Sequence, residues 1–146
     1  MIQYLDASLI VALIARQAAS ALVDPILRNG NDMAMSDFAM AECSSALAKL
    51  ARIDRWTDAT TRAAFSELDA WAELMTKRVE ITPSDVATAT GFIRQDGLVL
   101  RAPDAIHLAA AHRLGATLLT LDRGMAKAAV ALGVRYMNPA EAEAHG

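Results

Sequence analysis

The sequence has a single cysteine, Cys43, which excludes an internal disulfide framework and a zinc site built on thiolates. It also lacks a basic surplus. Fourteen Lys and Arg against 17 Asp and Glu leave a net charge of −3, so the chain is no polycation that coats nucleic acid. No P-loop and no Gly-rich dinucleotide fingerprint is present. Long apolar runs are missing too. The first is broken at Asp6 and closed at Arg16, and no basic leader precedes it, so neither a signal peptide nor a membrane span is expected. A reducing cytoplasm is the expected compartment. What is present is a 146-residue chain, 54% apolar and 21% charged, which fits one folded domain over 1–146. Apolar residues at that level exceed core needs, and a partner or a second copy could cover the rest.

The pattern along the chain alternates short apolar runs with helical periods. Met1 to Leu5 reads as a strand, Ala7 to Arg16 as a helix, and Ala18 to Arg28 as a second helix closed by a turn at Asn29-Gly30-Asn31-Asp32. Met33 to Met35 predicts a buried strand, and Asp37 to Ile53 a long helix. A further periodic stretch over Trp56 to Arg78 ends in a β-prone piece at Val79-Glu80-Ile81. Thr82-Pro83-Ser84-Asp85 carries a capping-box pattern that starts another helix. Pro103 opens a helix from Asp104 to Leu114, which Gly115 stops. Thr117 to Leu121 and Val134 to Met137 read as strands around a helix from Met125 to Leu132 that Gly133 ends. With no hairpin signal between strands, this order argues for an α/β fold whose parallel sheet is covered on both faces. Ligands then belong at the carboxyl ends of the strands.

Four acids stand out. Asp6 and Asp122 each follow an apolar strand and precede a helix, Asp104 lies in a first helical turn, and each alone suits a helix N-terminus. Glu42 lies inside its helix on one stripe with Ala39, Ala46 and Ile53, a face expected to pack inward. No Lys or Arg follows Asp6 or Glu42 at salt-bridge spacing. If the four converge, two carboxylates about 5 Å apart repel by roughly 3 kcal/mol at an effective dielectric near 20, and a cation or protons must answer that charge. Oxygen-only donors favour Mg²⁺ or Mn²⁺, ions that activate water and neutralise charge on phosphate esters.

Tyr4-Leu5-Asp6-Ala7-Ser8, Ser36 with Ala41-Glu42 and Ser45-Ala46-Leu47, Pro103-Asp104-Ala105-Ile106-His107-Leu108-Ala109-Ala110-Ala111 and Leu119-Thr120-Leu121-Asp122-Arg123 resemble the successive motifs of PIN-domain ribonucleases. Among these the chain is most similar to the VapC-type toxins of toxin–antitoxin pairs, from residue 1 to about Pro139. The resemblance implies a three-layer α/β/α sandwich with a central parallel sheet and a Mg²⁺- or Mn²⁺-dependent endoribonuclease site with one or two ions. It also implies a cognate antitoxin that blocks the site, and a homodimer. By position, Asp6, Glu42, Asp104 and Asp122 match the acidic quartet that holds metal and does the catalysis, and Thr120 matches a residue that orients water. Leu121 departs from the pattern, where an aromatic is common.

Other residues receive lesser roles. Ser36 is expected to cap the Glu42 helix or to touch water at the site, and Arg101, Arg123 and Lys127 to meet RNA phosphates. His107, three residues after Asp104, is read as structural, His112 and His145 as exposed, and Cys43 as a small buried filler. Trp56 and Trp71 are read as packing residues rather than base-stacking ones. Two rivals remain open, a phosphoryl-handling α/β enzyme and a non-catalytic binding module whose acids merely cap helices.

Overall fold

Strand β1 (Gln3–Leu5) takes the centre of a sheet because both of its faces are apolar: Tyr4 and Leu5 are fully buried and belong to different core clusters. The computed structural model describes residues 1–29 and 32–144. Gly30 and Asn31 of the expected turn, and His145, lie outside the described residues. The remaining strands are β2 (Met33–Ser36), β3 (Lys77–Val79), β4 (Thr117–Leu119) and β5 (Tyr136–Met137). They form one sheet in the order β3-β2-β1-β4-β5, every neighbouring pair parallel.

Helices α1 (Ala7–Ile14), α2 (Ser20–Asn29), α3 (Asp37–Ile53) and α4 (Asp58–Met75) meet one face of the sheet. There Leu5, Met35 and Leu119 pack with Leu9, Val23, Leu47 and Leu68. On the other face Tyr4 and Leu118 pack with residues of α6 (Ala102–Leu114) and α7 (Arg123–Leu132). The alternation of Tyr4 with Leu5 and of Leu118 with Leu119 between clusters is the period-two signature of strands buried on both sides. This is the expected α/β/α sandwich. Helix α5 (Pro83–Ile93) lies against α6 through Ala89, Ala105 and Ala109, small residues that let two helices approach closely. Helix α8 (Pro139–Ala144) follows β5.

The expected capping box forms on α5. Thr82 Oγ1 accepts from the Asp85 backbone N–H, and Asp85 accepts in return from the Thr82 N–H. Asp85, 1% exposed, also takes two bonds from Arg113 of α6, at 2.8 and 3.0 Å. Burial alone would raise this carboxyl, but the bonds from Arg113 and Thr82 outweigh it and hold it below the usual carboxylate range. Gly115 and Gly133 end α6 and α7 with φ of +61° and +71°, the left-handed geometry that a C-terminal glycine supplies.

Three expectations need correction. Helix α4 stops at Met75 and the next strand begins at Lys77, earlier than the Val79–Ile81 piece. Pairing decides this: Lys77, Arg78 and Val79 register against Ala34, Met35 and Ser36, and charged residues suit a sheet edge despite weak β-propensity. The last strand is shorter than Val134–Met137, because the Val134 N–H donates back to the Ala129 carbonyl in the cap of α7 and ladder pairing starts at Tyr136. The Glu42 stripe loses cover along α3, from buried Ala39 through half-buried Ala46 to Ile53 at 63% exposure, as the helix end runs past the packed layer.

The strand order reverses between β1 and β4, since the chain proceeds outward from β1 through β2 to β3 and then returns to β1's other side. In open parallel sheets that reversal leaves a crevice at the carboxyl ends of the two strands. The residues that follow β1 and β4 are Asp6 and the segment Thr120–Asp122.

Candidate active site

Asp6 occupies the N-cap position of α1, yet its side chain makes no capping bond. Its Oδ2 instead accepts from the Ser8 hydroxyl at 2.7 Å and the Thr120 hydroxyl at 2.8 Å. The carboxylate is thereby fixed on the sheet edge, 6% exposed. A side chain that merely served its helix would turn onto the free backbone N–H groups.

Asp122 does both jobs. Its Oδ1 accepts from the Met125 N–H at 3.0 Å and so caps α7. Its own N–H donates to Thr120 Oγ1 at 2.9 Å, which makes one hydroxyl the junction between the ends of β1 and β4. Gly124 adds a constraint that sequence inspection misses. A Cβ there would lie 3.2 Å from Asp122 Oδ1, so the glycine leaves room for the carboxylate over the helix terminus.

Glu42, on the second turn of α3, is hydrogen-bonded through Oε1 to Nε2 of His107 on α6. His107 is fully buried, and its other nitrogen, Nδ1, lies 2.6 Å from the Tyr4 hydroxyl. Oxygen atoms of Asp6 and Glu42 and a ring nitrogen of His107 all fall within 4.8 Å of one another. Ser36 caps α3 by accepting from Ala39 N–H at 2.9 Å and bonds Tyr4 at 2.8 Å. At 1% exposure it is buried.

Asp104, in the first turn of α6, is outside that tight group and pairs with Arg101 at 3.3 Å. Burial raises its carboxyl above the usual range; Arg101 opposes the shift, and the charges of Asp122 and Asp6 add to it. Asp104 therefore feels the charges of the other two aspartates, and its one arginine does not offset burial and that repulsion. Arg123 and Lys127 are exposed on α7 and make no ion pair among the described residues.

The structure thus brings Asp6, Glu42 and His107 together, with Thr120 and Asp122 bonded to each other at the same sheet edge and Asp104 within their electrostatic reach. His107 and Tyr4 are the residues that the sequence undervalues; the three-residue step from Asp104 to His107 is the only local signal. His112 is exposed, and Trp56 and Trp71 pack against the first core cluster. Cys43 is buried, its thiol pushed up to about 12 by burial and then by the charges of Asp6 and Glu42. It is expected to resist iodoacetamide at pH 8 in the native protein and to label fully in denaturant, as mass spectrometry would read.

The PIN domain family model matches residues 3–131. The chain belongs to the PIN domain family. Three solved structures show the same fold as this PIN domain. FitAcB from Neisseria gonorrhoeae aligns with a TM-score of 0.76 at 19% identity, over 94% of this chain and 98% of that one. VapBC2 from Rickettsia felis, bound to a DNA fragment from its promoter, gives 0.69 at 17%, over 94% and 98%. VapC20 from Mycobacterium tuberculosis, a sarcin-ricin loop cleaving toxin, gives 0.67 at 19%, over 86% and 94%. No curated protein sequence matches the chain. Among the described residues of this PIN domain, no helix is long and apolar enough to cross a membrane.

Proposed function

We propose that the chain is a divalent-metal-dependent endoribonuclease, the toxin of a toxin–antitoxin pair. The observation that carries this reading is the Asp6 carboxylate, which forgoes its own helix and is held by two hydroxyls, with an oxygen within 4.8 Å of one on Glu42. Similarity in fold to VapC20 and to VapBC complexes supports the toxin assignment.

The donor set fits a hard cation. Asp6 and Glu42 offer oxygens at close range, Asp104 carries a burial and repulsion penalty that a cation would relieve, and Arg101 is the only basic side chain ion-paired to the acidic quartet among the described residues, His107 aside. Asp6, Glu42, Asp104 and Asp122 would hold one or two Mg²⁺ or Mn²⁺ ions. When bound, such an ion supplies water activation and charge neutralisation at phosphorus. The chain's own residues do the rest. Ser8 and Thr120 fix the direction of Asp6, and Arg101, Arg123 and Lys127 on the rim hold RNA phosphates without reading sequence. In-line attack by water leaves a 5′-phosphate and a 3′-hydroxyl, so 2′,3′-cyclic phosphate ends would contradict the mechanism. A basic side chain from the antitoxin, placed among the acids, would satisfy the same charge. Exposed Leu74 and Val99 supply apolar surface for self-association or for that partner.

The test uses a mixed RNA pool with Mn²⁺, with Mn²⁺ plus EDTA, and with the Asp6→Asn chain; cleavage is expected in the first tube alone. Equal cleavage in all three would end the enzyme reading. Metal at about 100 times its dissociation constant should also stabilise the fold by about 2.7 kcal/mol, a melting shift of roughly 5–10 °C. A cluster of helix caps would give no shift.

A further inference from the structure

Tyr4 and His107 are buried polar residues that the proposed chemistry does not use. Both are fully buried, and with Ser36 they form an unbroken chain that ends on Glu42. The His107 ring also meets two tilted aromatic rings, Phe38 at 5.3 Å and Tyr4 at 5.6 Å between centroids.

A histidine within 4.8 Å of two carboxylates reads first as a metal ligand. Its bonding says otherwise. Nδ1 faces Tyr4 and Nε2 faces Glu42, so neither ring nitrogen is free. A carboxylate that binds a cation is ionised and can only accept. Nε2 then carries the proton whichever way the Tyr4 and Ser36 hydroxyls are turned, and a protonated nitrogen has no lone pair for a metal.

We propose that His107 is a positioning residue: its Nε2–H holds one Glu42 oxygen so that the carboxylate faces the metal, while Tyr4, anchored on Ser36, holds the ring. This rests on the reading of Glu42 as a ligand. Glu42 has the greatest need of such a support. Asp6 is tied by two hydroxyls and Asp122 by its helix, whereas Glu42 sits mid-helix with three side-chain torsions to fix and His107 as its hydrogen-bond partner among the described residues. Partners behind a metal ligand set its affinity for the ion as well as its orientation.

The experiment is calorimetric titration of Mn²⁺ into the metal-free full chain. His107→Leu is expected to weaken Mn²⁺ binding about tenfold. Tyr4→Phe, which removes one oxygen, should weaken it about threefold and carries the test if the leucine variant does not fold. His107→Gln, whose amide N–H can reach Glu42, should recover affinity to within about threefold of the parent chain. Leu108→Ala, a truncation of a buried neighbour, should lower the melting temperature and leave Mn²⁺ affinity alone. If Glu42→Ala loses affinity while His107→Leu and Tyr4→Phe retain it, the positioning role is wrong and Glu42 stays a ligand. If Glu42→Ala retains affinity, the ligand reading fails and the positioning role with it.

Discussion

Asp6→Asn is expected to slow RNA cleavage about a thousandfold and to leave the fold intact. A factor of that size corresponds to about 4 kcal/mol of lost transition-state stabilisation, the scale of removing one anionic metal ligand. The substitution is nearly isosteric, and its amide oxygen can still accept from Ser8 or Thr120. No helix cap is lost, because Asp6 makes none. The measurement is the cleavage rate at saturating Mn²⁺ beside the melting curve of the metal-free chain. A rate within tenfold of the parent, with the melt unchanged, would remove Asp6 from the chemistry. Asp122→Asn sharpens the comparison. Asparagine caps a helix about as well as aspartate, so α7 keeps its cap while the charge disappears.

Arg113→Ala should be among the most destabilising single changes away from the crevice, by about 2–3 kcal/mol, or a melting drop of roughly 4–12 °C. It would leave the Asp85 carboxylate, 1% exposed, without its two guanidinium bonds, and would remove a bond to the Glu80 carbonyl. Partial exposure of the arginine places the cost below the upper range for buried pairs. The same pair sets a pH dependence. Asp85 has a lower pKa folded than unfolded, so its contribution is complete above the ordinary carboxylate value and is lost as pH falls through the lowered one. Melting curves from pH 6 down to pH 2 should show the parent losing stability faster than Arg113→Ala. Parallel curves would show that the pair is not the source.

Much of the frame is legible locally. Asp6 and Asp122 announce the sheet edge because each stands between an apolar run and a helix, and the Thr82–Asp85 box and the two C-terminal glycines mark helix ends by their own chemistry. What escapes the sequence depends on contacts far along the chain. Lys77 and Arg78 do not look like a strand, and only the register against Ala34 and Met35 makes them one. Arg113 reaches Asp85 across 28 residues, and His107 reaches Tyr4 across 103, distances over which periodicity carries no information. Glu42 is intermediate: its inward face follows from helical spacing, but the partner that holds it does not.

The link between Thr120 and Asp6 spans 114 residues and joins the first strand to the fourth. A ribosome adding about 5–20 residues per second needs roughly 6–23 s to make that stretch. Until residues 117–120 emerge, one edge of β1 has no neighbour and Asp6 has only one, Ser8, of the two hydroxyls that fix it. A nascent chain therefore lacks the joined ends of β1 and β4 until most of it has been made. That edge is completed late, with the docking of a three-residue strand whose partners were made long before it.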